Sequence, residues 1–224
     1  MVFLINKKSV VDIIDSSIFK ERLNEMKDYG YTSLVFCVID SVYSIGAKYA
    51  STKAVVERFA NHLGITLKSE YLISEFVKTY GSLDFDYLAN EIFKNRQRTS
   101  TSNGILKAEA IVHFINVLHN HNIETTDDLL NYKDKYRLMY DIKKIKGQGK
   151  GLTFDYVMML AGDVDTFKPD RHIINFFTEY LNLEDVSDLE MKFRNQLEIA
   201  QKTYPNMNIR TLDGSIWLFM SSRK

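Results

Sequence analysis

The sequence predicts an all-helical fold, and two observations carry that expectation. Only two prolines, Pro169 and Pro205, interrupt the 224 residues. Between the polar stretches run long segments whose apolar residues recur every three or four positions, the period of a helix with one buried face. A chain of this length can bury one large core or two small ones.

The elements follow in chain order. Residues 9–27 read as a first helix with Ser9 as cap and Gly30 beyond its end. Residues 31–45 are almost continuously apolar through Leu34, Val35, Phe36, Val38, Ile39 and Val42, which predicts a buried helix. The β-branched residues in its first half leave a strand open there. Residues 51–63 carry Val55, Val56, Phe59 and Leu63 on one face and stop at Gly64. Two shorter helices, 70–80 and 84–94, lie on either side of Gly81. Residues 95–104 are polar and form a loop, the expected boundary between two lobes.

Residues 106–120 place Ile111, Phe114, Ile115 and Leu118 on one face. Thr125-Thr126-Asp127-Asp128 starts another helix in the manner of a capping box with Asp as its acid. Residues 133–144 lead into Ile145-Lys146-Gly147-Gln148-Gly149-Lys150-Gly151, and an apolar helix covers 152–161. Asp170 is a good N-cap for a helix over 171–181. Helices at 186–203 and 211–221 complete the chain. There is no internal repeat and no low-complexity segment.

The formal net charge is zero, so global electrostatics do not point to nucleic acid. Local charge does. From Lys133 to Lys150 there are seven Lys or Arg against Asp134 and Asp141, a net of +5 beside the glycine run. A solvated helix face accounts for that excess equally well. Cys37 is the only cysteine, which excludes a disulfide within the chain and a cysteine-ligated zinc or iron–sulfur cluster. The apolar start, residues 1–5, is too short for a signal peptide, and no stretch approaches a membrane span. A soluble, intracellular, cytoplasmic protein is expected.

Three glycines at alternate positions, with a helix starting at once, point a cluster of backbone N–H groups at one place. Such a cluster binds an anion, usually a phosphate. Lys146 and Lys150 flank it. Pro169 then fixes the backbone just ahead of Asp170. Asp163 and Asp165 have the spacing of metal ligands, but no acidic cluster follows, so no metal is expected.

A helix, a hairpin of the form Ile145-x-Gly147-x-Gly149, an apolar helix and Pro169-Asp170-x-His172-Ile173 together resemble the helix–hairpin–helix DNA glycosylase superfamily. Gly149 and Asp170 stand 21 residues apart, which suits a hairpin, a three-turn helix and a loop. Residues 34–41 resemble the buried helix that opens the family's first lobe, Lys107-Ala108-Glu109-Ala110-Ile111 a helix ahead of the hairpin, and Leu212-Asp213-Gly214-Ser215-Ile216-Trp217 a closing helix of some members. The resemblance covers roughly residues 30 to 220.

It implies two helical lobes with a cleft between them: lobe one about 31–100 with the terminal helices, lobe two about 104–170 with the hairpin. It implies double-stranded DNA containing a modified base as partner, flipping of that base, and hydrolysis of its N-glycosidic bond by a monomer in base excision repair. Asp170 matches the catalytic carboxylate. Lys146, Gly147, Gln148, Gly149, Lys150 and Gly151 match the hairpin that grips DNA. Ser41, Tyr43, Tyr49 and His172 are base-pocket candidates, although Tyr43 and Tyr49 read equally as core aromatics, and Trp217 reads as core.

Members that also cleave the backbone carry a lysine where this chain has Gly151, so the resemblance implies a monofunctional enzyme. The iron–sulfur loop of some members is absent and no cofactor is required. The family's hairpins can hold a monovalent cation, which the sequence neither supports nor excludes. A non-catalytic helix–hairpin–helix DNA-binding protein with a structural Asp170, or a bifunctional lyase using a displaced lysine such as Lys150, are the alternatives.

Overall fold

The computed structural model describes residues 8–25, 30–183 and 185–223. Every regular element among them is helical, and the only bridge pairs Arg98 with Leu106. No helix among these residues is long and apolar enough to cross a membrane. The chain divides into two compact units, Gly30–Asp163 and a terminal unit of Met1–Tyr29 with Val164–Lys224.

The Gly30–Asp163 unit is built around α3 (Leu34–Tyr43), all ten of whose residues are buried. The strand left open for its first half is therefore absent. A helix buried on every side needs partners on every side. Those are α4 (Tyr49–Leu63), α5 (Ile73–Tyr80), α7 (Lys107–Asn120) and α10 (Leu152–Ala161). Phe59 sits among Phe36, Phe76, Tyr80 and Phe93 with ring centroids 5.4–6.3 Å apart. Local signals set most helix ends. Gly64 takes φ +68° at the stop of α4. Thr125 and Asp128 form the expected capping box of α8 (Thr126–Asn131).

The helix expected at 84–94 is α6 (Phe85–Tyr87) running into a π-helical turn at Leu88–Ile92, where the Phe93 N–H donates to the Leu88 carbonyl. The Phe93 carbonyl then accepts from Nε and Nη2 of Arg58. α9 (Lys135–Lys143) precedes the glycine run.

The loop at 95–104 does not divide lobes. It lies inside the Gly30–Asp163 unit, pinned by the Thr99 N–H on the Ile105 carbonyl and the Lys107 N–H on the Gln97 carbonyl, both at 2.9 Å. Because α3 packs on α7 and α10 as well as α4, residues before and after this loop share one core.

The terminal unit has its own core of Phe19, Phe176, Phe177, Phe193, Leu212 and Ile216. The expected first helix breaks into α1 (Val10–Ile13) and α2 (Ser16–Glu25); residues 26–27 of it, and the apolar residues 1–5, lie outside the described residues. The break comes at Asp15, whose carboxylate accepts from the Ser17 N–H at 2.7 Å and so starts a new turn. α11 (Arg171–Leu181) and α2 both pack on α13 (Ile209–Ser221), while α1 packs on α12 (Leu189–Gln201).

Candidate nucleic-acid and carboxylate sites

In the Gly30–Asp163 unit, α9 passes to α10 through successive four-residue turns. The Ile142, Ile145 and Gln148 carbonyls accept from the N–H groups of Ile145, Gln148 and Gly151 at 2.9–3.0 Å. Two positions in this turn require glycine. Gly147 takes φ +91°, and a Cβ there would stand 2.4 Å from Thr99. Gly151 takes φ +78° as the N-cap of α10. Gly149 has no such need, since a Cβ there would meet nothing. The resemblance matches glycines 147 and 149 to the hairpin; the backbone demands 147 and 151.

The N–H groups of Lys146, Gly147, Gly149, Lys150 and Leu152 donate to no group among the described residues. They are open to an anion at a helix start. Lys146 and Lys150 are exposed beside them. Gln148 is the exception in this segment. It is 2 % exposed, its N–H is spent on Ile145, and its side-chain amide is buried without a partner, as is the Thr99 hydroxyl. It therefore offers nothing to a ligand outside the turn.

Of the base-pocket candidates, Ser41, Tyr43 and Tyr49 lie in the Gly30–Asp163 unit and His172 in the terminal unit. Ser41 is buried and its hydroxyl donates to the Val38 carbonyl at 3.0 Å. Tyr43 is 1 % exposed, its ring 5.6 Å from that of Phe93, its hydroxyl donating to the Asn95 carbonyl, and burial pushes its pKa far up. Both are core residues because α3 is covered on all sides. Tyr49, at the start of α4, is 46 % exposed. His172 belongs to the terminal unit, its ring edge-on to that of Trp217 at 6.3 Å. Trp217 is only half-buried, not core.

Asp170 caps α11. The Asp170 N–H closes on the Lys168 carbonyl at 2.8 Å across Pro169, which turns the carboxylate onto the helix start. One oxygen, Oδ1, accepts both cap bonds, from the His172 N–H at 2.8 Å and the Ile173 N–H at 3.1 Å. The second oxygen accepts none among the described residues.

The model of a family described as a domain of unknown function, DUF8548, matches residues 9–221. The chain belongs to the DUF8548 family. No curated protein and no solved structure matches it.

Two further residues of this DUF8548 chain matter, and neither role carries a signal in the sequence. Lys107 is 1 % exposed. Its ammonium donates to the Tyr43 carbonyl at 2.9 Å, the Ile45 carbonyl at 2.7 Å and Gln97 Oε1 at 2.8 Å. Burial lowers its pKa to about 8. It ties the end of α3 to the 95–104 loop.

Asp213, on α13, has its pKa raised to about 7, chiefly by burial and then by the negative charge of Asp170, against the pull of Lys168 and Arg22. Arg22 reaches α13 because residue 214 is glycine; a Cβ there would stand 2.9 Å from its Nε. The terminal unit thus holds a carboxyl, Asp213, that keeps its proton to near neutrality.

The shift has a sign. Between an ordinary value near 3.8 and about 7 the folded chain holds a proton that the unfolded chain has released. Stability from this group is full below that range and is lost as pH rises through about 7. Thermal melts from pH 5 to 8 are expected to fall with pH in the wild type and to flatten in Asp213→Asn. Parallel profiles for the two proteins would remove this coupling. No group of three or more His, Cys, Asp or Glu able to hold a metal occurs among the described residues.

Proposed function

We propose that the protein is a monofunctional DNA glycosylase. The observation that carries the reading is Asp170: Pro169 and the helix start hold it through one oxygen, leaving the other for chemistry. The turn at 145–151, with its left-handed glycines and unspent N–H groups, supports it as a helix–hairpin–helix grip on backbone phosphates. A modified base is flipped out of the duplex. Breaking its N-glycosidic bond develops positive charge on the sugar. The Asp170 carboxylate stabilises that charge and orients the attacking water. The product is an abasic site, and no cofactor takes part.

The experiment is incubation with a panel of modified-base duplexes, followed by alkali. Strand breaks that appear only after alkali are expected on at least one duplex. Intact strands throughout the panel, with DNA still bound, favour the non-catalytic module.

One distance favours a second reading, the bifunctional lyase. Gly151 stands where lyases of the resembling family carry lysine, and a Cβ at 151 would lie 2.7 Å from Cε of Lys143. Lys143, rather than Lys150, occupies that space. Borohydride is expected to trap no protein–DNA adduct. An adduct that vanishes in Lys143→Ala and persists in Lys150→Ala would establish the lyase.

A further inference from the structure

α9 carries an outward face that nothing in its own unit covers. Leu138 and Ile142 turn inward and are fully buried. Tyr136 is 90 % exposed and Tyr140 58 % exposed. They stand four residues apart, with Lys143 three further on, so the three share a face. The ammonium of Lys144 lies over the Tyr140 ring at 4.2 Å.

The charges around these rings are one-sided. From Lys133 to Lys144 there are five cations against Asp134 and Asp141, a net of +3. Both acids are already engaged: Asp134 caps α9, accepting from the Arg137 N–H at 3.0 Å, and Asp141 bonds Arg137 at 3.0 Å, Lys144 at 2.8 Å and His121 at 3.1 Å. Lys133 and Lys143 are exposed.

A helix that docks in a protein groove presents Leu, Ile or Met at such spacings. Here those residue types face the core, and the exposed rings have lysines for neighbours. Aromatic rings interleaved with cations fit a polyanion with flat bases. In a duplex the base faces are covered by their neighbours, so an exposed ring can stack only on an unpaired base.

We propose that the Tyr136–Tyr140 face of α9 is a stacking platform for a single-stranded segment of nucleic acid, its phosphates held by Lys133 and Lys143. The platform is continuous with the 145–151 turn, because Lys143 packs beside Gly151. It adds a single-strand contact to the proposed DNA-binding reading, but its test requires no base excision.

The test is fluorescence anisotropy with two probes of about twelve nucleotides. One is an oligothymidylate and the other an abasic oligodeoxynucleotide of equal length. Wild type is expected to bind the oligothymidylate more tightly. Tyr136→Ala with Tyr140→Ala should weaken that binding roughly tenfold or more and erase the difference between probes, with the salt dependence unchanged. The Phe variants should bind as wild type does. Lys133→Gln with Lys143→Gln should weaken both probes alike and flatten the salt dependence.

Since both tyrosines are exposed, the variants retain the fold, which circular dichroism checks. Equal binding of the oligothymidylate by wild type and the double Ala variant overturns the platform. So does a wild type that does not tell the probes apart, or a loss confined to duplex DNA. Lys146→Ala with Lys150→Ala, read on duplex DNA, tests the proposed hairpin grip separately. Loss of oligothymidylate binding in the tyrosine variant alone upholds the platform whatever that second pair does.

Discussion

Asp170→Asn is expected, on the proposed glycosylase reading, to lower base excision by roughly 10²-fold or more, the usual cost of losing a well-placed electrostatic group. The substitution separates the proposed catalytic role of Asp170 from its role as a helix cap. Its Oδ1 accepts the cap bonds from His172 and Ile173, and an Asn oxygen accepts the same pair. Asn caps a helix as well as Asp does. α11 therefore stays, with about 0.3–1 kcal/mol of helix-dipole stabilisation lost. The removed charge also relieves Asp213, whose pKa Asp170 raises. The Asn variant should then hold its melting temperature better than wild type as pH rises towards 8. DNA binding should survive. Excision within a few-fold of wild type, at matched stability, would reduce Asp170 to a helix cap.

The largest effect on stability is expected from Lys107→Met. The methionine chain fills much of the same space, but the carbonyls of Tyr43 and Ile45 and the amide oxygen of Gln97 lose their donor. Leaving such buried acceptors without partners costs about 2–4 kcal/mol. That lowers the melting temperature by roughly 5–15 °C for a chain of this size. Lys107→Arg should cost less, since it keeps the charge and donors but must fit a larger head. If the Lys107→Met variant melts with wild type, the carbonyls have found water and the clamp between α3 and the 95–104 loop is not needed.

The helices were legible in the sequence because their signals are local. Asp170 before an apolar run, the Thr125–Asp128 capping box and Gly64 each act through bonds to residues a few positions away. α11, α12 and α13 lie within three residues of their expected bounds, whereas the first expected helix breaks at Asp15. The glycine-rich turn was legible too, but which glycines it needs was not. Gly149 is free of constraint, while Gly147 must be glycine partly because Thr99, far along the chain, leans against it.

The roles of individual side chains needed the tertiary structure. Tyr43 and Ser41 sit on a helix whose sequence reads as apolar, yet only its enclosure by α4, α5, α7 and α10 makes them core. Lys107 looks like any lysine at a helix start until the end of α3 and Gln97 close over its ammonium. Asp213 has an ordinary carboxyl whose proton affinity is set by burial, Asp170, Lys168 and Arg22, groups drawn from two other stretches of chain. The division into units also escaped the sequence, since the polar 95–104 loop carries the marks of a linker but is tied down by residues on both sides. Backbone conformation depends on a few neighbouring residues, so it can be read along the chain. Burial and charge environment depend on distant segments that meet only when the chain has packed.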